Sequence, residues 1–139
     1  MWYFFFFSVI LCIIMALRIL FFPARFKYKE VSFENFVFLG FTYAVIMLGF
    51  SLLFLLFEIK GYHVIMDSGE FMPQNLFGRL GTCLYLSAIT LFSVGYGDVV
   101  PVGPGRVLVI IEALIGYTIP AAFVVRTFID YDPLHKQRS

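Results

Sequence analysis

Three apolar stretches of this chain are each long enough to cross a lipid bilayer. They cover residues 2–22, 36–57 and 102–129, and the second stretch contains no charged residue. A membrane-spanning helix needs about 20 predominantly apolar residues, so each stretch can form one. The composition agrees, because 14% of the 139 residues are charged, against roughly 25% in soluble domains. We therefore predict an all-α membrane protein.

A fourth apolar segment, Leu80–Phe92, lies between the second and third stretches and is too short to cross a bilayer. We predict that it forms a re-entrant helix, which enters the membrane and ends inside it. The sequence Ser-Val-Gly-Tyr-Gly-Asp follows directly at residues 93–98.

The two glycines of residues 93–98 allow backbone angles that a Cβ atom disfavours, so successive carbonyl oxygens can turn to one side. Irregular backbone at membrane depth is tolerated only where protein buries it or where it lines a water-filled path. A row of carbonyl oxygens beside such a path is typical of a cation filter. A phosphate-binding loop would need a flanking strand and a third glycine in register, and this segment has neither.

The basic residues predict the topology, since cytoplasmic loops carry an excess of Lys and Arg. Loop 58–79 contains only Lys60 and Arg79 as basic residues. Most of the others lie near the connector or the C-terminus: Arg18, Arg25, Lys27, Lys29, Arg126, Lys136 and Arg138. We therefore expect the connector 23–35 and the tail 130–139 to be cytoplasmic and the protein to lie in the plasma membrane.

The first stretch allows three interpretations: a third span, an interfacial helix or a signal peptide. A signal peptide usually starts with basic residues and ends at a small-residue cleavage site, and residues 1–4 contain no basic residue. This favours a span. A voltage sensor needs several regularly spaced arginines within a span, which Arg18 alone does not supply.

Residues 88–98 resemble the end of the pore helix and the selectivity filter of two-transmembrane-type potassium channels, a bacterial ion channel family. The family filter reads Thr-Val-Gly-Tyr-Gly, and this chain has Ser93 at the first position. Phe92 stands where many relatives carry another threonine. Residues 84–87 resemble the start of the pore helix, and residues 112–116 resemble the inner helix of bacterial members.

The resemblance implies a division of the chain. A pore domain, 36–129, would follow an N-terminal helix, 1–22. The pore domain would contain an outer helix (36–57), a turret (58–73), a pore helix with filter (74–98) and an inner helix (102–129).

The resemblance also implies a function, that of a potassium-selective channel subunit and not of an enzyme. Four copies would form a homotetramer, with K⁺ as the permeant ion and no cofactor. Dehydrated K⁺ would be bound by the Ser93 hydroxyl and by backbone carbonyls, those of Ser93, Val94, Gly95 and Tyr96. The filter would be supported by Gly97, Asp98, Thr90 and Glu112.

Two features of the third stretch allow more than one interpretation. Glu112, a carboxylate within a span, either bonds to the back of the pore helix at Thr90 or Ser87, or pairs with Arg106 near the interface. Gly116 is either a gating hinge or a small residue for close helix packing. Pro120, one turn later, favours a bend, since proline removes a helical hydrogen bond.

Two alternatives to a selective potassium channel remain open from the sequence. One is a weakly selective cation channel, and the other is a non-conducting membrane subunit or anchor with a filter-like segment. Membrane lipid and an unidentified gating partner or ligand are expected partners. A net charge of +1 without a basic block does not indicate binding to nucleic acid. Cys12 and Cys83 match no metal-binding spacing and are expected to be buried free thiols.

Overall fold

The computed structural model describes residues 1–21, 33–71 and 75–135. These ranges form four α-helices and one small sheet. The helices follow the predicted order along the chain. The helices are α1 (Trp2–Phe21), α2 (Phe33–Ile59), α3 (Leu76–Leu91) and α4 (Gly105–His135). The predominantly helical fold is thus confirmed.

Two helices of the described ranges are long and apolar enough to cross a membrane. The candidate spans are Phe36–Ile59 in α2 and Gly105–Ala122 in α4. The apolar parts of α1 and α3, Tyr3–Arg18 and Leu76–Leu91, are shorter. A third span formed by α1 therefore stays a prediction.

The helix ends differ from the sequence-based expectations by several residues. Residues 33–35, expected in the connector, belong to α2, and residues 130–135, expected in the tail, belong to α4. The reason is that an apolar run marks the part of a helix that suits lipid, while polar residues beyond the run can continue the helix. Residues 121–132 contain neither glycine nor proline. The other connector and tail residues, 23–32 and 136–139, lie outside the described ranges, as does residue 22 of the predicted N-terminal helix.

The helix that was expected to be re-entrant, at Leu80–Phe92, also begins earlier than expected. Because α3 starts at Leu76, residues 84–87 lie in its middle and not at its start. The helix ends at Leu91, close to the predicted end at Phe92.

A three-stranded antiparallel sheet is an element that the sequence did not indicate. Its order is β2-β1-β3, with β1 at Ile65–Asp67, β2 at Glu70–Phe71 and β3 at Val99–Pro101. Strands of two or three residues are too short to show the alternating pattern that predicts a strand. The β1–β3 pairing joins the turret to the chain that leaves residues 93–98.

The core lies where α3 packs between α2 and α4. Ile46 and Phe54 of α2, Leu86 of α3 and Ile119 of α4 are buried there. Between helices in lipid, van der Waals packing is a main source of stability, so the fit of these side chains positions α3.

The N-terminal helix α1 packs on α2 through a glycine. Ile13 is buried, and a Cβ at Gly49 would lie 2.6 Å from its Cγ1 atom. Small residues allow such close helix contacts in membranes. On the same helix Cys12 is exposed, so the expectation of a buried thiol is wrong there, whereas Cys83 on α3 is buried.

Candidate functional site

Residues 93–98 begin where α3 ends, and the first amides of the segment turn back into that helix. The N–H groups of residues 92–95 donate to carbonyls of residues 88–90 over 2.8–3.2 Å. These bonds satisfy carbonyls that a helix C-terminus otherwise leaves without partners. Within the described part of the chain, the carbonyls of residues 93–96 accept no hydrogen bond. The inner half of the segment therefore has its amides occupied and its carbonyls available.

The backbone of this segment alternates in conformation. The φ angle is positive at every second residue, with +57° at Ser93, +57° at Gly95 and +82° at Gly97. Alternating left- and right-handed conformations place successive N–H groups on one side of the chain, and so leave the carbonyls on the other. A Cβ at Gly95 or Gly97 would meet no atom within 4 Å. Glycine is thus favoured there by the backbone angle and not by space.

Asp98 anchors the outer end of the segment. Its Oδ2 atom accepts a hydrogen bond of 2.8 Å from the Tyr85 hydroxyl on α3. Its backbone carbonyl accepts one of 2.7 Å from the amide of Ser68 in the turret. Asp98 was expected to support a filter, but the sequence did not identify Tyr85 as its donor.

Glu58 at the end of α2 organises the turret, and the sequence analysis missed it. The side chain is buried, and its Oε1 atom accepts hydrogen bonds from the amides of Val64 (2.7 Å) and Ile65 (3.0 Å). Nδ1 of His63 lies 3.8 Å from the other carboxylate oxygen. An acidic residue directly after a charge-free span was the available signal. The carboxylate thus fixes the loop that leads into β1.

Glu112 lies fully buried against α3. Of its two expected partners on that helix, Ser87 donates its hydroxyl to Oε1 of Glu112. Ser87 Oγ also lies 2.9 Å from the carbonyl of Met47 on α2. Arg106, the expected partner in the interfacial interpretation, is exposed. Ser87 therefore connects three helices behind the filter-like segment, while support of a filter by Glu112 and Thr90 stays a prediction.

Gly116 of α4 lies directly against the end of α3. A Cβ at this position would collide with the carbonyl oxygen of Leu91 and lie 3.0 Å from its carbonyl carbon. Close packing, one of the two interpretations of Gly116, is therefore present. The helix continues through Pro120, and a hinge or bend at these residues stays a prediction.

Tyr43 of α2 reaches the same place and was also missed. Its hydroxyl donates to the Gly116 carbonyl over 2.9 Å. Its ring stacks on Phe92, with centroids 5.4 Å apart and an interplanar angle of 7°. An isolated tyrosine carries no signal in a chain with 20% aromatic residues.

A cavity of about 590 Å³ opens beside Tyr43, under the inner end of residues 93–98. It is lined mainly by apolar groups, and its walls come from α2, the end of α3 and α4. The lining includes Tyr43, Phe92, Ser93, Gly116, Tyr117 and Pro120.

Comparisons with known proteins place most of this arrangement in one family. A family model described as "Ion channel" matches residues 50–131. The protein LctB of Geobacillus stearothermophilus is 46% identical over 90 residues, which cover 65% of this chain and 67% of LctB. LctB of Bacillus caldotenax is 42% identical over 90 residues, with the same coverage. No solved structure matches the chain significantly.

Proposed function

This chain belongs to the ion channel family, as a two-transmembrane potassium channel-type domain, and we propose that it is one subunit of a potassium-selective channel. The observation that carries the proposal is the backbone of residues 93–97. It combines alternating positive φ angles with occupied amides and available carbonyls. Membership in an ion channel family supports the proposal of a membrane transport protein rather than an enzyme.

The proposed filter binds K⁺ through oxygen atoms. The carbonyls of residues 93–96 and the Ser93 hydroxyl replace the water that the ion loses. Val94 and Tyr96 point their side chains away from the ion and hold the filter open from behind. Gly95 and Gly97 permit the backbone angles that bring the carbonyls to one side.

One negative charge at each end of the proposed filter attracts the cation. The C-terminus of α3 leads into residue 92, and a helix C-terminus carries roughly half a negative charge. This favours a cation at the inner entrance. At the outer end, Asp98 is exposed and raises the local concentration of cations.

A single chain does not complete the filter. Residues 92–98 are all exposed in the monomer, although irregular backbone at membrane depth must be buried by protein or line a water-filled path. One face of α4 is also apolar and exposed. It includes Val107, Ile110, Ile111, Leu114 and Tyr117. We propose that three further copies cover these surfaces in a homotetramer with closed cyclic symmetry.

In the proposed topology the protein lies in the plasma membrane. The turret is outside the cell and the C-terminus is in the cytoplasm. The excess of Lys and Arg near the connector and the C-terminus supports this orientation. With three spans, residue 1 lies outside. The packing of Ile13 on Gly49 supports α1 as a third span beside α2. Lipid then surrounds α1 and the outer face of α2.

Phe92 favours a second candidate, a weakly selective cation channel. Its ring stacks on Tyr43, whereas a threonine at this position would bring a hydrogen-bonding hydroxyl behind the filter. A filter with less polar support is less rigid and discriminates less between cations.

Flux measurements on liposomes that contain the purified protein test the proposal. We expect K⁺ uptake that external Ba²⁺ blocks and that exceeds Na⁺ uptake, with native mass spectrometry to establish four subunits. Equal K⁺ and Na⁺ flux would favour the weakly selective channel. If an assembled tetramer carries no Ba²⁺-sensitive flux, the non-conducting membrane subunit is favoured instead.

A further inference from the structure

Pro120 leaves one carbonyl of α4 without its helical donor. In an α-helix the carbonyl of residue 116 accepts a hydrogen bond from the N–H of residue 120. Proline has no N–H, so Gly116 loses that partner. Both residues lie in the stretch Gly105–Ala122, which is long and apolar enough to cross a membrane. A backbone carbonyl without a partner is unfavourable in such surroundings.

Tyr43 supplies the missing donor from another helix. Its hydroxyl lies 2.9 Å from the Gly116 oxygen, and the two residues are 73 positions apart in sequence. The tyrosine thus takes the place of the amide that residue 120 lacks. This role depends on the hydroxyl group of Tyr43, because phenylalanine at this position would keep the ring and lose the donor.

The ring of Tyr43 makes a second contact, with Phe92. The two rings are nearly parallel at 5.4 Å between centroids. Phe92 directly precedes Ser93, and its own amide donates to Ala88 of α3. One side chain therefore touches both the freed carbonyl of α4 and the residue next to the proposed filter.

The surroundings restrict α4 where it meets α3 and leave space beside that contact. Gly116 packs against the backbone of Leu91, so a shift of α4 toward α3 is blocked. The cavity of about 590 Å³ lies next to this contact, since Leu91 and Gly116 line it together with Tyr43 and Phe92. A bend of α4 that carries the Gly116 carbonyl away from α2 would have to break or stretch the bond from Tyr43.

We infer that Tyr43 is a positioning residue that couples α4 to the entrance of the filter. It caps the carbonyl that Pro120 leaves free, and through its ring it holds Phe92 below Ser93. A bend of α4 at Gly116 and Pro120 changes the position of Tyr43 and thereby that of Phe92. The effect on conduction rests on the proposed function, whereas the capping itself does not.

A double-mutant cycle tests the capping directly. The variants are Tyr43→Phe, Pro120→Ala and the combination, and the readout is the melting temperature of the purified protein in detergent. Tyr43→Phe alone should lower the melting temperature by roughly 2–5 °C, as expected for one lost hydrogen bond. Alanine at position 120 restores an amide donor to Gly116. The same Tyr43→Phe change should then lower the melting temperature by less than half as much.

The matched control is Tyr62→Phe, which removes a hydroxyl from an exposed tyrosine of the turret. Its melting temperature should equal that of the unmodified protein. Equal effects of Tyr43→Phe with proline and with alanine at position 120 would overturn the capping.

Single-channel recordings test the coupling. We expect Tyr43→Phe to change open probability at least threefold and Pro120→Ala to reverse most of that change. An unchanged open probability in Tyr43→Phe would overturn the coupling to the filter. If the unmodified protein conducts no ions, the proposed function fails, and the melting cycle still decides whether Tyr43 caps Gly116.

Discussion

The two ends of residues 93–97 are held by different kinds of contact. At the inner end the hydrogen bonds of the segment are all made by backbone, since the amides of residues 92–95 bind carbonyls of α3, and Gly116 packs on the backbone of Leu91. At the outer end side chains take part as well: Tyr85 binds Asp98 and Glu58 holds the turret, beside the backbone bond from Ser68 to Asp98.

Because of this difference, the two ends should respond to different kinds of mutation. Backbone contacts at van der Waals distance leave no room for additional atoms, so the inner end should respond to added volume. Side-chain hydrogen bonds can be removed without a change in shape, so the outer end should respond to the loss of single polar atoms. Between them, the middle of the segment should depend on backbone angle alone.

The largest effect is expected in that middle part, from Gly95→Ala. An added methyl group has space but opposes the φ angle of +57°, at a cost of about 1–2 kcal/mol per subunit. We expect loss of K⁺ flux with normal assembly, measured by liposome uptake and native mass spectrometry. Gly81→Ala is the control, because its Cβ also meets no atom within 4 Å and lies within α3. Normal K⁺ flux in Gly95→Ala would contradict the filter assignment.

The second prediction concerns the outer end, where Glu58→Ala removes an acceptor from two amides. Both Val64 and Ile65 are fully buried, and an unsatisfied buried donor costs about 1–3 kcal/mol. The free energy of unfolding should therefore fall by about 2 kcal/mol or more in denaturant titrations.

Glu58→Gln is the matched variant for this carboxylate, because it keeps an acceptor oxygen. It should lose clearly less stability than Glu58→Ala. Equal losses in the two variants would mean that Glu58 acts through packing or charge and not through these hydrogen bonds.

At the inner end, Gly116→Ala should destabilise the protein through overlap with the Leu91 carbonyl. Overpacking of this kind typically costs about 1–3 kcal/mol, and denaturant titration measures it. The control is Gly40→Ala on α2, where a Cβ meets no atom within 4 Å. That change should be neutral or stabilise by about 0.5–1 kcal/mol. Equal stability of both variants would show that α3 and α4 separate easily at this contact.

The smallest effect on stability is expected from Tyr85→Phe, which removes the hydrogen bond to Asp98. Both residues are exposed, so the loss should not exceed about 1 kcal/mol. Since Asp98 then loses its donor on α3, we expect shorter openings in single-channel recordings. Tyr62→Phe, at an exposed tyrosine of the turret, should leave open times unchanged, and identical behaviour of the two variants would contradict the anchoring role of Tyr85.

Local features of the site were predictable because they depend on neighbouring residues. The short apolar run before residue 93 predicted α3, and the glycines at 95 and 97 predicted unusual backbone angles. Glu112 could be predicted to face α3, since a carboxylate within a span needs a polar partner. The choice of Ser87 over Thr90 needed the rotation of α3, which no local pattern encodes.

The features that the sequence did not predict are of two kinds. Some are contacts between residues far apart in sequence, and others are strands too short to show a pattern. Tyr43 and Gly116 are 73 positions apart, and the β1–β3 pairing joins strands of three residues. Single tyrosines and very short strands give no periodic signal.

Four features follow from the amino-acid sequence alone: the apolar helices, their order, the short helix before residue 93 and the chemistry of the filter-like segment. Length in apolar residues, glycine positions and charge placement are local properties, and local properties can be read along a chain. The tertiary structure alone decided which polar atoms meet: Tyr43 with Gly116, Tyr85 with Asp98 and Glu58 with the turret amides. Hydrogen bonds require distances of about 3 Å, and only the packing of whole helices brings such distant groups that close.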